Sequence, residues 1–153
     1  MSRSALEKEV AGSGRVAWRC TCFNVRRASR AVSQIYDDAL EPTGLRINQF
    51  SLLGAIETTG PTTVSDLARL LELDRTTLTR NLKTLQKSGL IDISPGQDKR
   101  ERLVSATPSG IDVMARAKPL WRGAQDRIIK ELGRERWQRI TDDLDALSVL
   151  SLV

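Results

Sequence analysis

Apolar residues recur at helical spacing through most of this chain, and the pattern breaks at a few proline- and glycine-bearing points. From about Arg15 to Leu40 the positions Val16, Phe23, Ala28, Val32, Ile35, Tyr36 and Leu40 fit one helix, which Pro42-Thr43-Gly44 ends. A second helix is predicted over Ile47 to Thr58, with Phe50, Leu53 and Ile56 inward, and Gly60-Pro61 stops it. Residues 1–13 show no period and read as a flexible N-terminal arm.

The next stretch is punctuated more finely. Thr63-Val-Ser-Asp66 has the form of a capping box, with Asp66 in place of the usual Glu or Gln. It opens a short helix to about Leu71 that buries Leu67, Ala68 and Leu71. Glu72-Leu73-Asp74 is a tight turn, and Asp74 is placed to cap a helix from Arg75 to about Ser88. Leu78, Leu82 and Leu85 share one face of that helix, and Gly89 sits where a left-handed residue is wanted. Leu90 to Ile93 and Leu103 to Ser105 read as two strands around a polar tip from Ser94 to Arg102. Thr107-Pro108 then starts a helix with a cap and a first-turn proline. That helix carries Ile111, Met114, Leu120, Trp121, Ile128 and Leu132, and Pro119 is expected to kink it. After Gly133 a last helix bears Trp137, Ile140, Leu144, Leu147 and Leu150. The fold class is therefore mainly α with a small β-wing.

Composition narrows the function classes. With 153 residues, 28% charged and 40% hydrophobic, the chain has the mix of a globular protein. No run approaches the ~18–20 apolar residues of a membrane span, and the N-terminus lacks an apolar signal core, so a cytoplasmic protein is expected. There is no histidine and there are two cysteines. That removes histidine-dependent catalysis, Ser–His–Asp triads and most zinc sites. No glycine-rich phosphate loop follows a strand. A thiol oxidoreductase on Cys20 and Cys22 would lack both a C-x-x-C at a helix start and a βαβ frame. Neither an enzyme nor any cofactor or metal is expected.

The net charge is +5, and its placement matters more than its size. From Arg75 to Arg102 seven cations face three acids. Two short helices, a tight turn and a basic hairpin are the parts of a winged helix-turn-helix. With its leucines buried, the second helix presents Arg75, Thr76, Thr79, Arg80 and Lys83. Threonine is a mediocre helix former, so Thr76, Thr77 and Thr79 are easier to explain by a surface requirement. Helix and charges alone describe a solvated amphipathic helix equally well. The hairpin tip Asp98-Lys99-Arg100-Glu101-Arg102 favours contact with double-stranded DNA, while a charged turn kept for solubility stays open. A non-specific architectural binder is the alternative class, distinguished by equal affinity for random and palindromic duplexes.

The last helix argues for a homodimer. Trp137, Ile140, Leu144, Leu147 and Leu150 form a stripe, and the chain stays apolar to Val153. Left bare, the stripe would invite aggregation. Two-fold pairing buries it and sets two reading helices about 34–36 Å apart. Arg15, Arg19, Arg26, Arg27 and Arg30 on the first helix have Asp142, Asp143 and Asp145 as candidate cross-subunit partners.

Gln49-Phe-Ser-Leu-Leu53, Thr63-Val-Ser-Asp-Leu-Ala68, Asp74-Arg-Thr-Thr-Leu-Thr-Arg-Asn-Leu82, Gly89-Leu-Ile91, Asp98-Lys-Arg100 and Thr107-Pro-Ser-Gly110 together resemble the MarR family of bacterial regulators, in order from about residue 20 to the C-terminus. The resemblance implies an obligate dimer whose terminal helices interlock beneath two DNA-reading lobes. Residues 14–46 and 108–153 would form the helical dimerisation region and 47–107 the winged helix-turn-helix domain. It implies repression at a pseudo-palindromic operator, relieved by a small molecule or by thiol oxidation. Family contacts carry over to Thr76, Thr77, Thr79, Arg80, Lys83, Asp98 and Arg100. Thr63, Arg75, Lys99 and Arg102 complete the candidate DNA-binding set. Ala106 departs from the family's usual leucine, and looser packing is expected there.

Cys22-Phe23, Ala28-Ser-Arg-Ala31 and Tyr36 resemble the start of the organic-hydroperoxide-sensing (OhrR-like) branch. There the cysteine at the Cys22 position is the peroxide-reactive thiol, steadied by two tyrosines. Tyr36 matches one of them and Arg26 stands at the other. Residues two apart on a helix diverge by ~200°, so a Cys20–Cys22 bridge would need unwinding. Cys22 is thus either a peroxide-sensing thiol, or a buried, inert cysteine beside a pocket for a small anionic or aromatic effector with Arg26 and Tyr36 as candidate lining residues, and other roles stay open.

Overall fold

The computed structural model describes residues 20–96 and 101–150. The N-terminal arm, Arg15, Val16 and Arg19, the wing-tip residues Asp98, Lys99 and Arg100, and residues 151–153 lie outside the described residues. The elements in order are α1 (Thr21–Leu40), a 3-10 turn (Glu41–Thr43), α2 (Ile47–Thr59), β1 (Thr62–Thr63), α3 (Val64–Leu70), α4 (Arg75–Lys87), β2 (Ile91–Pro95), β3 (Arg102–Ala106), α5 (Pro108–Leu132) and α6 (Arg134–Val149). The chain divides into two compact units, Met1–Ile35 and Tyr36–Val153, with the boundary inside α1. In the first unit Phe23 and Val32, which carry the helical apolar pattern, are exposed, as is Val25.

The core of the second unit is built from Leu52, Leu53 and Ile56 of α2, Leu67 of α3, Leu78, Leu82 and Leu85 of α4, Ile91, Val104 and Met114. Burying a leucine of this kind contributes about 1.5–3 kcal/mol. The three α4 leucines therefore fix how that helix is rotated. The sheet is antiparallel in the order β1-β3-β2, with Ile93 opposite Val104 and Pro95 opposite Arg102. Both wing strands run further than the apolar pattern indicated, and the Gly96 amide donates to the Glu101 carbonyl at 2.9 Å beyond the last pair. Strand β1 was not anticipated. Its two threonines pair with Val104 and Leu103, a long-range pairing that no local alternation announces.

The helix starts follow the capping chemistry closely. Thr63 Oγ1 accepts from the Asp66 amide at 3.0 Å and donates to the Asp66 carboxylate at 2.8 Å. Thr107 Oγ1 accepts from the Gly110 amide at 3.1 Å and donates to the Gly89 carbonyl at 2.7 Å, tying the start of α5 to the end of α4. Helix α2 is capped from a distance: Asp37 of α1 accepts from the Ile47 amide at 2.7 Å and pairs with Arg46 at 3.3 Å. Pro119 lies inside α5, which runs on to Leu132. Glu72 takes a left-handed φ of 52° in the turn between α3 and α4, a conformation that costs a residue with a Cβ.

Two outcomes follow. A Cβ on Gly110 would lie 2.1 Å from the Leu90 carbonyl oxygen, an atom held by the Thr107 amide at 3.1 Å. Gly110→Ala should therefore destabilise by about 1–3 kcal/mol, against the gain of up to ~1 kcal/mol that alanine brings to a helix; urea unfolding measures the sign. Second, the Thr77 side chain, and after it the Thr77 amide, hydrogen-bond to Asp74 and hold its carboxyl below the usual carboxylate range. A carboxyl depressed in the folded state adds stability that is present above its unfolded pKa of about 3.9 and is lost as pH falls through the folded value. Thermal melts between about pH 5 and pH 2 should show this loss. Asp74→Asn keeps an accepting cap oxygen and should make the decline shallower.

Candidate nucleic-acid interface

Helix α4 carries the candidate reading surface because of how its rear is packed. Leu78, Leu82 and Leu85 are buried, so the opposite side stands in solvent. Asp74 fixes where the helix begins by accepting from the Thr77 amide at 2.9 Å. Arg75, Thr76, Thr79, Arg80 and Lys83 then come together around one open concavity of about 450 Å³. A second groove of about 550 Å³ lies between α4, the first turn of α3 and the base of the wing. There Thr63, Arg75, Thr79 and Lys83 meet Arg102. The structure thus gathers seven of the expected DNA-binding residues around two adjoining hollows; Asp98, Lys99 and Arg100 lie outside the described residues.

Cations outnumber carboxylates in this region. Two carboxylates, Asp66 and Glu101, line the second groove, and Asp66 is engaged by Arg69 at 3.1 Å and by the Thr63 hydroxyl. Among the described residues, none of Arg75, Arg80, Lys83 and Arg102 is paired with a carboxylate. Four exposed cations beside a protruding helix form a surface suited to a polyanion.

The threonines behave less uniformly than their sequence suggests. Thr77 hydrogen-bonds to Asp74 through its side chain and stands apart from both hollows. Thr79 donates its hydroxyl to the Arg75 carbonyl at 2.6 Å, and Thr84 donates to the Arg80 carbonyl at 3.2 Å. These side chains spend their donor on their own helix. Sequence reasoning missed Ser65 and Gln86, which line the second groove; their place depends on how α3 and the wing pack beside α4.

The candidate effector and redox residues are placed as follows. Tyr36 hydrogen-bonds Gln125 of α5 and stacks on Trp121 with ring centroids 6.4 Å apart. Burial pushes its phenol pKa up. Trp121 in turn stacks on Phe50 at 5.8 Å. These two rings border a groove of about 320 Å³ between α2 and α5, which also takes in Met114, Lys118 and Arg122. Lys118 pairs there with Glu57 at 2.9 Å. Arg26 is exposed on α1. Cys20, immediately before the first residue of α1, and Cys22, in its first turn, are both exposed free thiols. On α6, Ile140, Leu144 and Leu147 are exposed at 39%, 45% and 39%, Leu150 just after its end at 70%, and Trp137 is half-buried. Asp142 accepts from Gln138 in its own helix at 2.9 Å. No described helix is long and apolar enough to cross a membrane, and the described residues hold no cluster of candidate metal ligands.

Comparison with known proteins agrees with this architecture. A sequence profile of the MarR family matches residues 43–101. The transcriptional regulator MosR of M. tuberculosis, solved in complex with DNA, is 38% identical, with 87% of this chain and 96% of that one covered and a TM-score of 0.80. The HTH-type transcriptional regulator YwoH of Bacillus subtilis is 34% identical over 83 residues, 54% of this chain. The match spans 61% of YwoH's own length. MarR of E. coli, complexed with operator DNA, is 22% identical, covers 80% of this chain and 89% of its own, and superposes with a TM-score of 0.74, which speaks to the fold. These relatives are transcriptional regulators and not enzymes. The chain, a mainly helical protein with a small antiparallel wing, belongs to the MarR family of transcriptional regulators.

Proposed function

We propose that this chain works as a homodimer that binds a pseudo-palindromic operator in double-stranded DNA, represses transcription there, and is released by a small-molecule ligand. The observation that carries the reading is the outer face of α4. Three cations that pair with no carboxylate among the described residues surround Thr76 and Thr79 on a helix whose rear is locked by three buried leucines. Arginine grips guanine through paired acceptors in the major groove, and Arg102 at the wing base is placed to meet phosphate. The complex of MosR with DNA supports the same use of the fold here. Residues 47–107 would be the reading domain, with Asp98, Lys99 and Arg100 extending its contacts, and 14–46 with 108–153 the dimerisation region. The exposed leucines of α6 supply an apolar face for a second copy to cover. For the ligand, the groove beside Phe50, Trp121, Lys118 and Arg122 combines aromatic walls with Arg122 and with Lys118, the latter paired to Glu57, a net surplus of one cation that suits a small aromatic anion. Tyr36 would act behind that wall through its stack on Trp121.

The test is binding of operator and random duplexes at one fixed salt concentration, with sedimentation in parallel. A sequence-specific dimer should prefer its operator by about 10³-fold or more. Arg80→Ala should weaken operator binding roughly 5- to 150-fold, the ~1–3 kcal/mol of one bidentate guanine contact, with a smaller effect on random sequence. Leu144→Glu with Leu147→Glu should yield monomers that lose operator affinity. Equal affinity for both duplexes would instead identify an architectural binder.

A second reading, release by oxidation of Cys22, is favoured by the exposure of that thiol in the first turn of α1. Here peroxide should consume free thiol and weaken operator binding together, and Cys22→Ser should abolish the response. Thiol loss at constant affinity would leave the small-molecule signal as the operative one.

A further inference from the structure

We infer that Thr79 is a specificity-determining residue that reads thymine through its methyl group and not through its hydroxyl. This rests on the reading of α4 as the DNA-reading helix and deepens it to the level of a base. Thr79 is exposed and lies where the two hollows adjoin, lining both beside Arg75 and Lys83. A threonine in such a place is ordinarily expected to hydrogen-bond a base edge or a phosphate. Here its hydroxyl donates to the Arg75 carbonyl one turn back, at 2.6 Å. The proton is committed to the helix, so the hydroxyl is not free to donate to a phosphate oxygen or to a base acceptor such as thymine O4. The methyl on the same carbon takes another of the staggered positions and is the group left to meet a ligand from outside. The major groove offers one matching feature, the C5-methyl of thymine, and methyl-to-methyl contact is a recognised way of reading it. Thr77, whose side chain is held on Asp74, and Thr84, held on the Arg80 carbonyl at 3.2 Å, show the same inward use of the hydroxyl, but neither lines the concavity that holds Arg75, Arg80 and Lys83. The half-site that fits this face therefore combines guanine, taken by an arginine, with a nearby thymine taken by Thr79.

The experiment replaces thymine by uracil, which removes the C5-methyl and keeps every hydrogen-bonding group. A preferred duplex is first selected from a randomised pool with the wild-type protein, and each thymine is then changed in turn. At one symmetry-related position, uracil should weaken wild-type binding about fourfold per half-site, corresponding to ~0.8 kcal/mol for one methyl, and about sixteenfold when both half-sites are changed. Thr79→Val keeps a methyl without the hydroxyl and should retain affinity and the uracil effect. Thr79→Ser keeps the hydroxyl, and should bind the thymine duplex about as weakly as wild type binds the uracil one, with no further loss on uracil. Both changes leave the buried leucines of α4 untouched, and thermal melts verify that each variant is folded. If Thr79→Val loses as much as Thr79→Ser, or if no uracil effect disappears in Thr79→Ser, the methyl contact is overturned while DNA reading by α4 stands. If the pool yields no preferred duplex, sequence-specific reading by α4 fails and this inference falls with it.

Discussion

The cationic face of this molecule depends on the rotation of one helix, and that rotation is set by burial of Leu78, Leu82 and Leu85 against the core. A 13-residue helix has no means of holding its own azimuth. Turning α4 by one residue, about 100°, would bring apolar side chains into water and hide the arginines. Three leucines on one face, each contributing about 1.5–3 kcal/mol on burial, make that turn prohibitive. Among the described residues, Arg75, Arg80 and Lys83 are therefore presented without an ion pair to a carboxylate. Function here is a by-product of packing: the cations point outward because the leucines must point inward.

The joints on either side of α4 keep that presentation rigid. At the N-terminal side Asp74 sets the first turn, after a turn in which Glu72 accepts a left-handed backbone. At the C-terminal side the chain reverses at Gly89, and Thr107 bonds back to the Gly89 carbonyl while its amide bonds the Leu90 carbonyl. Gly110 lets the backbone of α5 come down on that carbonyl. Helix α4, the wing and the long helix α5 thus share one small knot of hydrogen bonds made by the Thr107 hydroxyl and amide. Asp37 makes a comparable link between the end of α1 and the start of α2. Its neighbour Tyr36 joins α1 to α5 through Gln125 and to α2 through the stack over Trp121 and Phe50.

Much of this was legible in the chain because local rules and global packing agree. The spacing of the α4 leucines, the caps at Thr63, Asp74 and Thr107, the glycine after α4 and the apolar stripe on α6 each appear where the residue pattern placed them. What stayed hidden depends on contacts made across the chain. Strand β1 exists through its partner β3, about forty residues away, and two threonines carry no alternation to betray it. The glycine at position 110 is required by a carbonyl twenty residues earlier. The commitment of the Thr79 and Thr84 hydroxyls to the backbone is a rotamer choice that composition does not reveal. Phe23 and Val32, apolar and correctly spaced for a buried face, are exposed in the described chain. Their periodicity reports an amphipathic helix without saying what covers it.

The most direct measurement of the central claim is a hydroxyl-radical footprint of the purified protein on its preferred duplex. Two copies of α4 held at fixed azimuth and related by two-fold symmetry should protect two tracts on one face of the DNA, centred about one helical turn, ~10–10.5 base pairs, apart. A single protected tract, or even protection along the whole duplex, would contradict the account.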